Sequence, residues 1–323
     1  MKNILDEDIK AGTFAPVYLL YGEEDYLKQT YKKRLKEAIS GEDTMNLNVF
    51  TGQDIDVKEV INLAETMPFF AEKRLILVED SGFFKKGQED LADYVRRVPE
   101  STCIVFVEKE IDKRNRLYKA VKDCGRISEM AKQESGELVM WGARYLKKNG
   151  KSVSANTMEE LLMRTGTDMT NIISELDKLI SYVGEAEAVT SEDVRAVVTA
   201  QTESRIFDMV DAIVSGKTEQ AMGLYRDLLA MKEPPMRILF LIARQFHQLL
   251  AAKDMLAEGK DRGSVASALK VPPFALRKLT AQAGNYSREQ LAERVRRAVE
   301  LEEAVKTGKM GDRIAVELVI AGR

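Results

Sequence analysis

The sequence contains one histidine, two cysteines and one tryptophan among its 323 residues. The two cysteines, Cys103 and Cys124, do not form a Cys-x-x-Cys pair, so neither a zinc site nor a disulfide framework is expected. His247 falls within a helical pattern, which favours a helix-surface histidine over a catalytic base. We therefore predict no metal, no cofactor and no catalytic residue of the Ser-His-Asp type.

The sequence also lacks a long apolar run and a large excess of either positive or negative charge. The longest apolar stretches, such as residues 238–243, are far shorter than the roughly 18 residues that a membrane span needs. The N-terminus turns acidic where a signal peptide has its apolar core. Because the formal net charge is −3, any contact with nucleic acid must be local. We expect a soluble, cytoplasmic protein with no membrane partner.

What is present is the composition of a helix-rich globular protein, with 45% hydrophobic and 31% charged residues but only 7 prolines and 20 glycines. Up to about residue 135, short apolar runs alternate with helical stripes, which is typical of βαβ units and a parallel sheet. The predicted strands are 17–21, 46–50, 75–78 and 103–107.

From about Glu137 the strand signal disappears and only helical stripes follow. The pattern therefore predicts an α/β domain over residues 1–136, a small helical domain over 137–202 and a larger helical domain over 203–323. Three helix starts are predicted from capping-box spacing. They are Asp56-x-x-Glu59, Thr157-x-x-Glu160 and Thr190-x-x-Asp193.

Three large apolar residues, Met67, Phe69 and Phe70, lie between a helix predicted over about residues 56–66 and the buried strand that follows. Pro68 ends that helix because it lacks an N–H group, and a connecting turn normally lies on the surface. The rings either fold back as core or enter a partner's pocket. Each Phe buries roughly 150 Å², so at about 25 cal/mol/Å² two rings supply several kcal/mol, enough for a binding hot spot. The pattern alone leaves both interpretations open.

A phosphate loop is not found. After the first strand the chain reads Gly22-Glu23-Glu24-Asp25, and three consecutive carboxylates would repel phosphate. The tripeptides 150–152 and 216–218 have the form Gly-Lys-Ser/Thr, but Tyr145 and Asp211 stand where the upstream glycine is required. Residues 75–80 resemble a Walker B strand, yet without a phosphate loop a structural role is favoured. No nucleotide-binding residue is predicted.

Basic residues cluster around Lys113 and around Arg296. Both clusters are interleaved with acidic residues, so a solvated helix face is favoured over a phosphate-binding face. The candidate contacts to DNA or to a partner are Lys113, Arg114, Arg294, Arg296, Arg297 and Lys306.

Several short segments, taken in order, carry a family resemblance: 17–27, 67–78, 107–119, 175–179, 206–211, 244–246 and 305–308. The chain resembles the delta subunits of bacterial DNA polymerase III, the clamp-loader subunits that open the sliding clamp. No single motif is diagnostic, but the ordered set is specific.

The resemblance implies a degenerate AAA+ module without a phosphate loop, then a helical lid domain and a C-terminal collar domain. The collar would assemble with ATP-binding clamp-loader subunits and a delta-prime-like subunit into a hetero-pentamer that acts on primed DNA. No catalytic activity is expected of the isolated chain, which would serve the DNA-directed DNA polymerase III holoenzyme, a nucleotidyltransferase complex.

In the family an apolar pair enters a hydrophobic pocket on the beta clamp, and the matching residues here are Phe69 and Phe70, with Met67 beside them. The chain has Pro68-Phe69-Phe70 where Ser-Leu-Phe is common, which keeps the main anchor, Phe70. Two alternatives to a clamp-binding subunit remain. One is an AAA+ ATPase with an atypical phosphate loop, and the other is a DNA-binding helical adaptor that uses residues 294–297.

Overall fold

The computed structural model describes residues 4–199 and 202–322. The chain divides into two units, Met1–Gln133 and Glu134–Arg323. The first unit is α/β and the second is almost entirely helical. The α/β class predicted for the first part of the chain is therefore confirmed, as is the helical region after it.

A five-stranded parallel sheet with the order β2-β3-β4-β1-β5 forms the centre of the first unit. β3 and β4 are the longest strands and lie inside the sheet, where apolar residues are buried on both faces, as in parallel sheets generally. The strands are β1 (Val17–Tyr21), β2 (Leu47–Thr51), β3 (Arg74–Glu79), β4 (Thr102–Glu108) and β5 (Arg126–Glu129).

Helices cover both faces of this sheet. Leu5 of the first helix and Leu35 of the second pack on the face that carries Tyr18 and Leu77. The next three helices pack on the other face, around Phe106. The helices are α1 (Ile4–Ala11), α2 (Asp25–Ser40), α3 (Val57–Ala64), α4 (Glu89–Tyr94), which continues into a 3-10 turn over Val95–Arg97, and α5 (Arg116–Cys124).

In the second unit, the longest helix, Pro235–Ala257, lies at the centre of the apolar core over residues 206–320 and contacts five other helices. Pro235 occupies the first turn, where a missing N–H group costs nothing. The helices are α6 (Ser135–Lys148), α7 (Ala155–Thr165), α8 (Met169–Val183), α9 (Ser191–Val197), α10 (Thr202–Val214), α11 (Thr218–Ala230), α12 (Pro235–Ala257), α13 (Arg262–Leu269), α14 (Pro273–Gly284), α15 (Arg288–Lys306) and α16 (Asp312–Ala321).

Two short strands in this unit contradict the prediction that strands end before Glu137. β6 (Ser152–Val153) pairs in parallel with β7 (Ala188–Val189). A two-residue strand is too short to produce a periodic signal. The predicted helix start at Thr157 is also wrong, because the cap is Ser154, whose side chain accepts a hydrogen bond from the N–H of Thr157.

Other sequence predictions agree with the structure. Asp56 caps α3 by accepting a hydrogen bond from the N–H of Lys58, and Thr190 and Asp193 form a reciprocal capping box before α9. His247 is an exposed residue of α12.

In the described part of the chain, no helix has the length and apolarity to cross a membrane. The boundaries 1–136, 137–202 and 203–323 stay predictions.

Candidate protein-binding turn

Residues 65–73 connect the end of α3 to the start of β3, and the tip of this turn is apolar. Met67, Phe69 and Phe70 are 79%, 56% and 95% exposed. The interpretation in which the rings fold back as core is therefore wrong. We call residues 67–70, with Pro68 half-buried among them, the apolar turn.

The two phenylalanine rings contact each other, and each stays more than half exposed. Their centroids lie 4.5 Å apart with an interplanar angle of 81°, an edge-to-face pair of the kind that aromatic rings prefer. Phe70 has a φ of +51°, in the left-handed region that bulky residues seldom adopt. Such strain persists only where the surrounding structure enforces it.

Asn46, the residue before β2, holds one side of the turn. Its side chain is completely buried, and its amide meets both polar groups of the Phe69 backbone. The N–H of Phe69 donates to Oδ1 of Asn46 at 2.7 Å, and Nδ2 of Asn46 donates to the carbonyl oxygen of Phe69 at 2.8 Å. The side chain thus pairs with Phe69 as a neighbouring strand would.

Arg74, the first residue of β3, holds the other side from within the unit. Its guanidinium donates from Nε to the carbonyl of Thr66 at 3.0 Å and from Nη2 to the carbonyl of Met67 at 3.2 Å. Nη1 donates to Oδ1 of Asn48 at 3.0 Å. The side chain is buried, and these bonds offset the cost of removing its charge from water.

Asp43 fixes the orientation of the Asn46 amide. Nδ2 of Asn46 also donates to Oδ2 of Asp43 at 2.6 Å, so both of its hydrogens are used. That hydrogen bond, the N–H of Met45 and the charge of Arg74 lower the pKa of Asp43. Asp43 is therefore ionised at neutral pH. Sequence reasoning missed Asn46 and Arg74 because Phe69 and Asn48, to which they bond, lie 23 and 26 residues away in the chain. It missed Asp43 because that residue acts only through Asn46.

The opposite, carboxyl edge of the sheet is where nucleotides bind in α/β proteins. Here the chain after β1 is tied to Met130, whose N–H donates to the carbonyl of Tyr21 and whose carbonyl accepts from the N–H of Glu24 at 2.9 Å. Gly22 lies against the same residue, with a φ of +126°. The N–H group of Glu24, which a phosphate loop would aim at phosphate, is thus committed to Met130.

A depression of about 540 Å³ at this edge has no net charge to attract a triphosphate. Its lining carries as many carboxylates as ammonium groups: Glu23, Glu110 and Glu129 against Lys109, Lys113 and Lys132. Lys113 lies 3.0 Å from Glu129, and the hydrogen-bonding partners Tyr21 and Glu129 raise its pKa.

The predicted basic contacts form two groups, one in each unit, and carboxylates lie beside the residues of both groups. Arg114 pairs with Asp112 at 2.9 Å and lowers the pKa of that carboxyl to about 2. Arg296 pairs with Glu293, and Arg297 lies 3.2 Å from Glu300.

The remaining two basic residues, Lys306 and Arg294, also lie beside carboxylates. Lys306 lies 2.5 Å from Glu302, and Arg294 lines a cavity of about 500 Å³ together with Glu289 and Glu293. These basic residues lie on charged helix faces, where the neighbouring carboxylates offset their positive charge.

Residues 18–130 match the family described as "DNA polymerase III, delta subunit", and residues 203–322 match "DNA polymerase III delta subunit, C-terminal domain". The chain belongs to the DNA polymerase III delta subunit family. The apolar turn lies within the first of the two matched regions.

Relatives of this family resemble the chain over most of its length. It is 29% identical to the DNA polymerase III subunit delta of Bacillus subtilis, over 97% of this chain and 94% of that protein. It is 26% identical to a probable DNA polymerase III subunit delta of Aquifex aeolicus, over 76% and 73% of the two chains. The solved Bacillus subtilis DNA clamp loader delta protein aligns with a TM-score of 0.63 at 28% identity, covering 99% and 98%.

Proposed function

We propose that this chain is a clamp-loader subunit that binds the ring-shaped sliding clamp (beta) and opens it for loading onto primed DNA. The observation that carries the proposal is the exposure of the apolar turn, with Phe70 95% in solvent although it is among the most hydrophobic side chains. The similarity to the Bacillus subtilis DNA clamp loader delta protein supports the same role.

The apolar turn has the features of a binding hot spot. It presents two aromatic rings and a methionine, residue types that are enriched at protein interfaces. Burial of two rings at about 25 cal/mol/Å² contributes several kcal/mol before ordering costs, which is the size of a dominant anchor. A hydrophobic pocket on the clamp is the partner that this chemistry fits.

Opening would follow from differential affinity. A ligand shifts an equilibrium only by the difference between its affinities for the two states. If the pocket accepts the apolar turn better when the neighbouring clamp interface is parted, then binding favours the open ring. The chain needs no bond-breaking chemistry for this step, and we propose none for it.

We infer that the chain does not bind ATP itself and that partner subunits supply the nucleotide chemistry. The closure of the Gly22 loop on Met130 and the balanced charge of the adjoining depression support this inference. Residues 137–202 would serve as the lid domain and 203–323 as the collar. The collar would join ATP-binding subunits and a delta-prime-like subunit in a hetero-pentamer within the polymerase holoenzyme.

The direct test is binding of the purified clamp to the full chain carrying Phe69→Ala and Phe70→Ala. We expect the affinity to fall by about 100-fold or more, since hot-spot truncations cost about 2 kcal/mol or more each. Because both rings are exposed, the thermal unfolding midpoint should not fall. Phe240→Ala is the matched control, as Phe240 is a 52% exposed aromatic residue of α12.

Clamp binding that survives in the double variant would contradict the proposal. Saturable ATP binding to the isolated chain would support instead the AAA+ ATPase with an atypical phosphate loop. Salt-dependent binding of the isolated chain to primed DNA, lost on neutralising Arg294, Arg296 and Arg297, would support the helical adaptor.

A further inference from the structure

We propose that Asn46 and Arg74 are positioning residues that hold the apolar turn in its binding conformation before the clamp arrives. The inference rests on the proposed clamp-binding function of that turn. It adds to that function the reason why the turn binds tightly, and it assigns a role to two buried polar residues that never reach the partner.

A free loop loses conformational entropy when it binds, and that loss is subtracted from the affinity. The apolar turn gains little order from its own side chains, because Met67, Phe69 and Phe70 all face solvent. Its order must therefore come from the backbone. Holding the backbone in advance is the general way to reduce the ordering cost of binding.

The Asn46 amide is suited to this task in a way that other side chains are not. The amide accepts a hydrogen bond from the N–H of Phe69 and donates one to the carbonyl of the same residue. It therefore fixes both backbone polar groups of Phe69. A carboxylate could only accept and an alanine could do neither. The second Nδ2 hydrogen is donated to Asp43, and this hydrogen bond prevents the amide from flipping.

Arg74 holds the turn on the other side of Pro68. Its bonds to the carbonyls of Thr66 and Met67 come from two different nitrogens, while a third nitrogen reaches Asn48. A lysine carries one nitrogen on a flexible stem and cannot reproduce this planar fork.

The two anchors together restrain the chain at residues 66, 67 and 69, immediately before the strained Phe70. A positive φ at a phenylalanine is maintained only by surrounding contacts, and these anchors are the contacts next to it. All the restraint falls on main-chain atoms, which leaves every apolar side chain of the turn available to a partner.

The test compares clamp affinity, stability and amide hydrogen exchange in the full chain carrying Asn46→Ala or Arg74→Lys. We expect each variant to bind the clamp about tenfold more weakly or worse, because the turn must then be ordered on binding. The N–H of Phe69 should exchange faster in Asn46→Ala than in the wild type. This exchange reports the turn itself rather than global stability.

Asn115→Ala is the matched control. Asn115 also bonds backbone groups through both ends of its amide, accepting from the N–H of Leu117 and donating to the carbonyls of Phe83 and Lys86. It follows β4 at the carboxyl edge of the sheet, whereas the apolar turn precedes β3 at the amino edge. Asn115→Ala should lower stability without changing clamp affinity or exchange at Phe69.

Wild-type affinity in folded Asn46→Ala and Arg74→Lys would overturn the inference and leave the proposed function intact. If Asn46→Ala does not fold, Arg74→Lys decides the question by the same affinity measurement. An equal loss of affinity in Asn115→Ala would also overturn it, since general destabilisation would then be the cause. If the variant with both phenylalanines replaced binds normally, the proposed function itself fails.

Discussion

Gly22 lies against the main chain of Met130 so closely that a Cβ atom at Gly22 would overlap the carbonyl oxygen of Met130 and lie 2.7 Å from its carbonyl carbon. The neighbour is backbone, so it cannot move aside as a flexible side chain would. The φ of +126° at Gly22 adds a second penalty for any residue with a side chain. The lack of a side chain at Gly22 permits the loop after β1 to approach Met130, and the hydrogen bonds of Met130 with Tyr21 and Glu24 hold it there.

Gly22→Ala should therefore lower the free energy of unfolding by about 3 kcal/mol, through overlap and backbone strain together. Gly52→Ala is the control, since Gly52 also has a positive φ, +97°, but no atom within 4 Å of its added Cβ. It should cost only about 1 kcal/mol. Denaturant unfolding checks both, and equal losses in the two variants would contradict the close contact with Met130.

Phe70→Asn should separate stability from binding. Asparagine tolerates the left-handed region better than phenylalanine, and the Phe70 ring contributes little burial to its own unit. We expect the free energy of unfolding to rise by about 0.5–1 kcal/mol while clamp affinity falls sharply. Thermal unfolding and clamp binding measure the two effects, and a destabilised variant would show that the ring supports the fold.

Glu108 predicts a specific pH dependence. It ends β4, is 3% exposed, and accepts hydrogen bonds from the N–H groups of Ser81 at 3.1 Å and Gly82 at 3.3 Å and from the Ser81 hydroxyl. Burial raises its pKa above the ordinary value of 4.5, against the effect of these donors. The folded protein thus holds this proton at a higher pH than the unfolded chain.

The stability contribution of Glu108 is therefore fully present below its ordinary pKa and is lost as the pH rises through the folded pKa. Relative to Glu108→Gln, the wild type should gain stability as the pH is lowered from 7 toward 5. Denaturant unfolding of both proteins over this range measures the difference. A difference that is constant, or that falls with decreasing pH, would contradict the raised pKa.

Cys103 should be an internal reporter of unfolding. It is completely buried in β4, and burial raises the pKa of its thiol to about 12. Since the thiolate is the reactive form, the native protein should react slowly at this position. In a Cys124→Ala variant, modification by a thiol reagent at pH 8 should follow global unfolding and accelerate with denaturant.

Half-buried Cys124 provides the comparison for that measurement. In the reciprocal Cys103→Ala variant, Cys124 should react faster than Cys103 does under native conditions. Rapid labelling of Cys103 in the folded protein would show that β4 opens locally.

The sequence predicted the elements whose signal is strong and local. β1, β3 and β4 are continuous apolar runs that stay buried on both faces, and each was placed within a residue or two. α1 and β5 were missed. β5, Arg126–Glu129, has one apolar residue and lies at the edge of the sheet, where solvent accepts polar side chains.

The apolar turn was found from composition, but its exposure was not decidable from the sequence. The exposed conformation of the turn depends on Asn46, which lies 23 residues before Phe69 and bonds to it only in the folded unit. An asparagine ahead of a strand is an ordinary turn residue in a sequence. The same applies to Met130, whose role beside Gly22 is a backbone contact and leaves no trace in residue type.

The contact between Gly22 and Met130 has a consequence for redesign of this scaffold. A binding crevice that is filled by side chains can be emptied by trimming them, but here the obstruction is peptide backbone. Grafting lysine, threonine and glycines into residues 22–28 would leave that segment in place. A gain of nucleotide chemistry would first need the path of the chain around residue 130 to be rerouted, so it lies several simultaneous substitutions away.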